Sequence, residues 1–395
     1  MRPSQQESID LAIHLRPLVR DAPIHWWLHV RSTGDAFYKD METFQKAHSS
    51  CMFKDGQFKS LTLVFEPVER GRVQLHLTAP TATTFVTGIA TRPTSDTSLQ
   101  SLHSVFVDLA PGALQAVKTI ELRGIALGVQ SVGILPHLCA FVARAAPYAS
   151  GCGSTMLRCI LERSPQLSNL KVDHCMYIPR DCAEPARGRL PNIFLAITNL
   201  ELDLTGVNTI LSPLSDPSLF DYAFRKPIKK LTLTHYLYRI PSPTSSGFTP
   251  SCWESTKIEY PSWKVKRILS RTHGVEKLYL CTGGGAIRDS DVPFTYRFPT
   301  DNLAPLKDVE ELVLQCAAGS PDEVRVTLEG LQKDPRLFPL SRKIRLKKCK
   351  MTPVWETLLD TVRSRKRIAR VELVECDAVL GACLQLDDLL AARRT

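Results

Sequence analysis

Three short segments of the sequence carry residues that could bind a ligand or react. The first is Gly283-Gly284-Gly285, which follows a predicted strand. The backbone N–H groups of a glycine-rich loop can cradle a phosphate when a helix begins just after the loop. This segment lacks the G-x-x-x-x-G-K-[S/T] spacing, and residues 286–289 do not open an obvious helix. The sequence therefore favours a flexible loop over a phosphate site.

The second group contains thiols and a histidine. His174, Cys175 and Cys182 could coordinate zinc, but no Cys-x-x-Cys pair accompanies them, and tetrahedral zinc needs four ligands. Cys152 stands at a predicted helix start, where a thiolate is favoured, which makes it the best candidate for a nucleophile. No Gly-x-Ser-x-Gly elbow is present, and no His can be paired with a nucleophile from sequence. We therefore predict no catalytic, cofactor-binding or metal-binding residue, no cofactor, and no enzymatic activity.

The third segment is basic and runs from Arg363 to Arg367 with the sequence Arg-Ser-Arg-Lys-Arg. Such a cluster could direct nuclear import or bind phosphate. It also ends a predicted helix, where cations complement the negative end of the helix dipole. Both interpretations remain open at the level of the sequence.

The composition is that of a globular protein with a basic balance. The chain has 395 residues, of which 44% are hydrophobic and only 7% aromatic, with a net charge of +10. This charge could serve nucleic acid or an anionic surface, or it could be that of an ordinary basic protein. No secretory signal and no apolar run of membrane-spanning length is visible, so the 12 cysteines are expected to be reduced thiols. We expect a cytoplasmic or nuclear protein.

One apolar pattern recurs along the chain: apolar, two variable residues, apolar, one variable residue, apolar. Alternating apolar residues of a strand point to one face, and stacked units can cover each other's apolar faces. From Leu170 onward the middle residues of successive copies are 27 to 34 residues apart, except for one step of 47. The ten copies are Phe58-Leu61-Leu63, Leu102-Val105-Val107, Val117-Ile120-Leu122, Leu167-Leu170-Val172, Ile197-Leu200-Leu202, Ile228-Leu231-Leu233, Val275-Leu278-Leu280, Val309-Leu312-Leu314, Ser341-Ile344-Leu346 and Ile368-Val371-Leu373.

Segments between the copies have helical spacing and start signals. Four predicted helices begin near Ser154, Ser262, Ser320 and Thr352, and Gly274 is placed just past the end of the second. Each of them is followed by a predicted strand. The sequence therefore alternates helix, short link and parallel strand.

The unit Leu-x-x-Leu-x-Leu-x-x-Cys resembles the cysteine-containing leucine-rich repeat, with Cys175, Cys349 and Cys376 in register. Over residues 58–376 the chain is similar to fungal F-box and leucine-rich-repeat proteins. The resemblance implies an α/β fold: a right-handed leucine-rich-repeat solenoid with a curved parallel sheet and outer helices. It also implies substrate recognition for a cullin-type ubiquitin ligase. No F-box start motif occurs in residues 1–55, so a ligase adaptor is expected as a partner only if an F-box lies upstream.

We expect three regions. Residues 1–55 form an N-terminal flanking segment of mixed helix and coil, with a helix around Phe37 to Lys46. Residues 56–380 form the irregular repeat array, and residues 381–395 form a C-terminal cap or tail. The in-register cysteines are expected to be buried, reduced and not bonded to one another.

Residues between the apolar strand positions are expected on the concave face of the sheet, the usual contact surface of solenoids. We expect a protein ligand there, as in a non-enzymatic interaction scaffold. The alternative is an anion-binding module for nucleic acid or phosphoinositide, because residues 336–395 have 14 Lys and Arg against 7 Asp and Glu. Any one of these residues could also be merely solvated. The predicted contact residues are Lys171, Asp173, Glu201, Asp203, Lys277, Tyr279, Lys343, Arg345, Lys347 and Arg370.

Overall fold

The chain divides into two compact units. The first comprises Met1–Ala196 and Leu211–Asp216, and the second comprises Ile197–Ile210 and Pro217–Thr395. Each unit is built on parallel strands that wind as a β-solenoid. The computed structural model describes residues 23–31, 58–66, 72–74, 82–89, 105–109, 112–123, 125–128, 133–144, 147–149, 153–173, 176–178, 194–203, 223–224, 226–237, 269–270, 272–284, 303–316, 322–377 and 380–393.

Strands dominate the described residues, which also include four helices, three of them after residue 320. The strands are β1 (Ile24–Arg31), β2 (Phe58–Glu66), β3 (Arg72–Gln74), β4 (Thr84–Ile89), β5 (Val105–Asp108), β6 (Thr119–Arg123), β7 (Ile125–Leu127), β8 (Ala140–Arg144), β9 (Pro147–Ala149), β10 (Asn169–Asp173), β11 (Met176–Ile178), β12 (Phe194–Leu195), β13 (Asn199–Asp203), β14 (Ala223–Phe224), β15 (Lys230–Leu237), β16 (Lys277–Gly284), β17 (Glu311–Cys316), β18 (Lys343–Lys347) and β19 (Arg370–Val374). The helices are α1 (Gly153–Arg163), α2 (Asp322–Lys333), α3 (Trp355–Ser364) and α4 (Leu380–Ala391).

The first unit has a main parallel sheet in the order β1-β2-β4-β6-β8-β10. One row of its inward side chains is paired in register and buried: Leu61, Phe85, Ile120, Phe141 and Leu170. Because alternate residues of a strand point to opposite faces, this row forms the core of the unit. Strand β1 lies within residues 1–55, the span expected to form an N-terminal flanking segment, and it pairs with β2 in the main sheet.

The first unit also contains two small parallel sheets of short strands that are separate from its main sheet; together they are called the second wall below. Strands β3, β5 and β7 form one parallel sheet, and β9 and β11 form another. The apolar copy Leu102-Val105-Val107 therefore does not add a strand to the main sheet, because β5 lies in the second wall. Outer helices are not the rule here: α1 is the one helix among the described residues of this unit, and its buried residues include Leu157 and Ile160.

The second unit has its main parallel sheet in the order β13-β15-β16-β17-β18-β19, with α2 and α3 connecting the last three strands. The middle residues of its apolar copies align as predicted from the sequence. Inward residues are buried in the interior strands, whereas Val371 and Leu373 of the edge strand β19 are half-buried. The aligned residues are Leu200, Leu231, Leu278, Leu312, Ile344 and Val371.

Three of the four predicted helix starts, those near Ser154, Ser320 and Thr352, are correct to within a few residues. Helix α3 begins at Trp355, and its N-cap residue Val354 makes no side-chain capping bond, so Thr352 is not the cap. Ser262 lies outside the described residues, as does the predicted helix around Phe37 to Lys46. Gly274 has a positive φ of 65°, which is the conformation expected of a glycine just past a helix end.

Cysteines stack where successive strands of the second unit end. Cys349 and Cys316 are both buried, and their Sγ atoms lie 3.2 Å apart. The hydrogen bond to Cys316 lowers the pKa of Cys349, whereas burial raises the pKa of Cys376. Both in-register cysteines that are described are reduced, but Cys376 is only half-buried, because it follows the edge strand. Cys175 lies outside the described residues.

The basic segment 363–367 is largely structural. The guanidinium of Arg365 donates hydrogen bonds to the carbonyl oxygens of Leu331 at 2.8 Å and Asp334 at 2.6 Å, at the C-terminal end of α2. It also reaches the carbonyl oxygens of Pro335 and Leu337. The carbonyl of Leu331 is in the last turn of α2, where a helix leaves carbonyls without intrahelical donors, and the other three belong to the residues that follow the helix. The central arginine of the segment is thus committed to holding two successive turns together.

Candidate contact surface

The second unit places charged side chains in rows across its sheet. Because its strands are parallel and in register, equivalent residues of neighbouring strands lie side by side, about 4.8 Å apart. The face opposite the core is called the polar face below. Its first row, from β15 to β19, is Lys230, Lys277, Glu311, Lys343 and Arg370, and its second row is Thr232, Tyr279, Val313, Arg345 and Glu372.

Glu372 is the centre of one ion cluster. Its Oε1 lies 2.8 Å from Nζ of Lys343 and 2.7 Å from a guanidinium nitrogen of Arg370, and its Oε2 accepts a hydrogen bond of 2.5 Å from Nε of Arg345. The bond from Lys343, opposed in part by burial and reinforced by Arg345, lowers the pKa of Glu372 to about 2. The carboxylate is therefore ionised throughout the physiological range.

Glu311 joins this cluster to the preceding strands. Its Oε2 lies 2.8 Å from Nζ of Lys277, and its Oε1 lies 3.6 Å from Nζ of Lys343 and 3.7 Å from Arg345. Burial alone would raise the pKa of Glu311, but the bond from Lys277 and the nearby cations outweigh it, and the pKa is lowered. Oε1 is buried without a hydrogen-bond partner among the described residues, so its stabilisation is purely ionic.

Tyr279 extends the network toward β15. Nζ of Lys230 lies 4.8 Å from the ring centroid, and Nζ of Lys277 lies 5.4 Å from it. Cations this close to the face of an aromatic ring are attracted by the ring quadrupole. Lys230 forms no ion pair with any described residue, so the ring is its partner. The ammonium groups of Lys230 and Lys277 therefore both contact the ring of Tyr279.

These eight residues are called the charged patch: Lys230, Lys277, Tyr279, Glu311, Lys343, Arg345, Arg370 and Glu372. Five cations face two carboxylates, which leaves a net charge of +3. The carboxylate side chains are each 18% exposed, whereas that of Arg370 is 68% exposed. Val313 is fully buried although it lies on the polar face, where Tyr279 and Arg345 flank it in register. The patch is thus a packed layer in which Lys343 and Arg345 are covered nearly as well as the carboxylates, at 21% and 24% exposed, whereas Lys230 and Arg370 at its two ends are exposed to solvent.

The structure brings together half of the contact residues predicted from the sequence. Lys277, Tyr279, Lys343, Arg345 and Arg370 all belong to the charged patch. Lys347 is on the same face but in its third row. Lys171 is half-buried on β10 of the first unit, and Glu201 is half-buried on β13. Asp173 and Asp203 are the last residues of β10 and β13, and their side chains lie outside the described part.

Sequence reasoning missed the residues that organise the patch. Glu311 and Glu372 each stand directly before or after an inward apolar residue of a predicted strand, and so does Lys230. The signal that could have found them is the alignment of the copies: Glu311 falls between Lys277 and Lys343 when the copies are stacked. The C-terminal face is therefore less basic than its lysines and arginines alone suggest.

The equivalent face of the first unit has a different chemistry. Its first row, from β2 to β10, is uncharged: Ser60, Thr84, Thr119, Ala140 and Asn169. Charged residues stand in its later rows, where Nε of Arg123 donates a 2.9 Å hydrogen bond to the carboxylate of Glu121 on the same strand. The charged patch is thus a feature of the second unit and not of every repeat.

Other chemistries find little support in the described residues. Gly283 and Gly284 belong to β16 and pair with residues of β15, which is strand geometry and not that of a loop around a phosphate. Within the described ranges, no group of three or more His, Cys, Asp or Glu is arranged to hold a metal ion. Cys152, His174 and Cys182 lie outside those ranges.

None of the helices in the described part of the chain is both long and apolar enough to cross a bilayer. Comparison with known proteins adds no identity: no protein-family model matches the chain, and no curated protein matches it either.

Proposed function

We propose that this chain is a non-enzymatic interaction scaffold of leucine-rich-repeat type and that the charged patch is where it contacts a protein partner. The observation that carries the proposal is the patch itself: side chains from five consecutive strands meet on one face in one network of ion pairs and cation–π contacts. Parallel in-register strands hold such side chains rigidly, so the receptor loses little conformational entropy when a partner binds.

A protein partner suits the patch better than nucleic acid does. Nucleic acid is bound through Lys and Arg that neutralise successive phosphates. Here Glu311 and Glu372 already neutralise part of the cationic charge, and they would repel a phosphate at two positions. Mixed charges of this kind give orientation and specificity to a protein interface. The exposure of Lys230 and Arg370 still keeps anion binding, to nucleic acid or phosphoinositide, as the second candidate.

We further propose that the scaffold selects substrates for a cullin-type ubiquitin ligase in the cytoplasm or nucleus. The support for this role is the resemblance of the repeat unit and its cysteines to F-box and leucine-rich-repeat proteins. The role requires an adaptor-binding F-box upstream of the repeats. Reading the gene upstream of Met1 for an F-box segment tests this part separately from the scaffold function.

Photo-cross-linking tests the scaffold function. A photoreactive phenylalanine analogue replaces Tyr279 in the full chain, which is then irradiated in an extract of cells that express it. The matched control carries the same analogue at Glu356, an exposed position on α3 away from the sheet. A discrete adduct at position 279 that protease removes and nuclease leaves intact is the expected result.

Two results would contradict the proposal. An adduct that nuclease removes would favour nucleic acid binding, and its formation should then fall steeply with added salt. Equal labelling at positions 279 and 356, or no protein adduct at either, would show that the charged patch is not a specific contact surface.

A further inference from the structure

We propose that the partner segment is an extended acidic peptide with carboxylates at positions i and i+4 and an uncharged residue at i+2. This inference rests on the protein-binding function proposed above and specifies the chemistry of its ligand. It follows from the order of charges along the first row of the charged patch and from the spacing of the strands.

The outer layer of the patch offers hydrogen-bond donors. Lysine and arginine are donors only. The most exposed donors stand at the two ends of the first row, Lys230 and Arg370, whereas Lys343 and Arg345 are covered nearly as well as the carboxylates. Lys230 has no carboxylate partner among the described residues, so its ammonium group is available to an incoming anion. The net charge of +3 complements a segment that carries negative charge.

Glu311 divides the cations into two subsites. On one side stand Lys230 and Lys277 over the ring of Tyr279. On the other side stand Lys343 and Arg370, which share Glu372 as a partner, together with Arg345. A second carboxylate placed directly over Glu311 would face a like charge at short range, which costs free energy. The partner is therefore expected to be negative at both ends and neutral in the middle.

The strand spacing sets the distance between the subsites. Neighbouring strands are about 4.8 Å apart, so the midpoint of β15 and β16 lies about 14 Å from the midpoint of β18 and β19. An extended peptide that crosses the strands advances about 3.4 Å per residue and places residues i, i+2 and i+4 on one side. Residues i and i+4 are then about 14 Å apart, and residue i+2 falls over Glu311 on β17.

The same geometry argues against a nucleic acid strand. A nucleic acid carries a negative phosphate at every nucleotide, so it has no neutral position to place over Glu311. A peptide can skip that position because its charge depends on side chains. Glu311 is therefore the residue that favours a peptide over a nucleic acid strand.

Fluorescence anisotropy with the full chain and labelled peptides tests the proposal. Three nine-residue peptides of Ser, Thr and Gln carry two Glu at i and i+4, two Glu at i and i+2, or two Gln at i and i+4. We expect the first peptide to bind about fivefold or more tightly than the second, and the third not to bind measurably. Single-stranded oligonucleotides and phosphoinositide vesicles serve as competing ligands.

Variants at the two ends of the row report on each subsite. Lys230→Gln and Arg370→Gln should each weaken the i, i+4 peptide about fivefold, since each removes one exposed cation and leaves Glu311 paired. Lys229→Gln and Lys366→Gln are the matched controls, because these exposed residues carry the same charge outside the row, and they should change binding less than twofold. Glu311→Gln should erase the preference for i, i+4 over i, i+2.

Several outcomes would overturn the inference. Equal binding of the two acidic peptides, equal effects of the row and control variants, or a preference that survives Glu311→Gln would each refute the subsite geometry. Tighter binding of oligonucleotides or vesicles than of the i, i+4 peptide would refute the ligand class. A protein adduct at position 279 that the i, i+4 peptide cannot compete away would refute this inference while leaving the scaffold function intact.

Discussion

Replacing Glu372 by Gln removes the charge that three cations share. In the folded chain the carboxylate forms ion pairs with Lys343, Arg345 and Arg370, and its pKa is about 2. The ordinary value is 4.5, so ionisation favours the folded state. A shift of this size corresponds to about 3 kcal/mol as an upper bound. Because the carboxylate lies on the solvent side of the sheet, water screens part of it, and we expect Glu372→Gln to cost about 1–2 kcal/mol at pH 7.

The pH dependence follows from the direction of the shift. A carboxylate with a depressed pKa in the folded state binds fewer protons there than in the unfolded state above pH 2. Its stabilisation is therefore complete above about pH 4.5 and is lost as the pH falls toward 2. The difference in free energy of unfolding between the wild type and Glu372→Gln should shrink over this window, with about half of it gone near pH 3.

Urea unfolding at low salt, followed by circular dichroism between pH 7 and pH 3, measures this difference. Glu375→Gln is the control, because Glu375 is exposed and pairs loosely with Lys348 at 3.7 Å. It should cost no more than about 0.5 kcal/mol and show little dependence on pH. A constant difference for Glu372→Gln from pH 7 to pH 3, or a Glu372 carboxyl that titrates near its ordinary value by NMR, would refute the ionic network.

Three stability predictions can be checked by the same unfolding assay at pH 7. Arg365→Lys should cost about 2 kcal/mol, because a lysine keeps the charge but cannot reach the carbonyl of Leu331 in α2 and the three carbonyls after the helix at once; a loss below about 0.5 kcal/mol would contradict this. Gly274→Ala should cost about 2–4 kcal/mol, since φ is 65° and an added Cβ would lie 2.5 Å from Cβ of Pro227. Leu346→Ala should cost about 2–5 kcal/mol and Cys349→Ala only about 1 kcal/mol, and equal losses would show that the two sites do not differ in packing.

The sheet of the second unit could be predicted from the sequence because its inward residues are consistently apolar. Leu231, Leu278 and Leu312 stand at the same position of three copies, and the structure pairs them in register. The parallel solenoid follows from that alignment. The charged residues of these strands could also be placed on the opposite face, because alternation along a strand has a strict period of two.

The first unit was harder to predict because its strands break the apolar pattern. In β4 the inward residue after Phe85 is Thr87, which is fully buried although it is polar. A search for apolar residues at fixed spacing misses such a strand. The same search also counts the copy around Val105 as a repeat strand of the main sheet, although its strand β5 lies in the second wall. Pattern alone cannot distinguish two walls of a solenoid when both are made of strands.

The ion pairs of the charged patch were not predicted because they join side chains of neighbouring copies, whereas the sequence pattern was analysed within each copy. In stacked parallel strands, a charge repeated at the same position of every copy would meet its like about 4.8 Å away on both sides. A regular array of lysines would therefore repel itself. The departure of single copies from the consensus places Glu311 between Lys277 and Lys343 and converts repulsion into pairing. The irregularity that weakens the repeat signal is thus what gives this face a defined order of charges, and the proposed peptide would be recognised by that order.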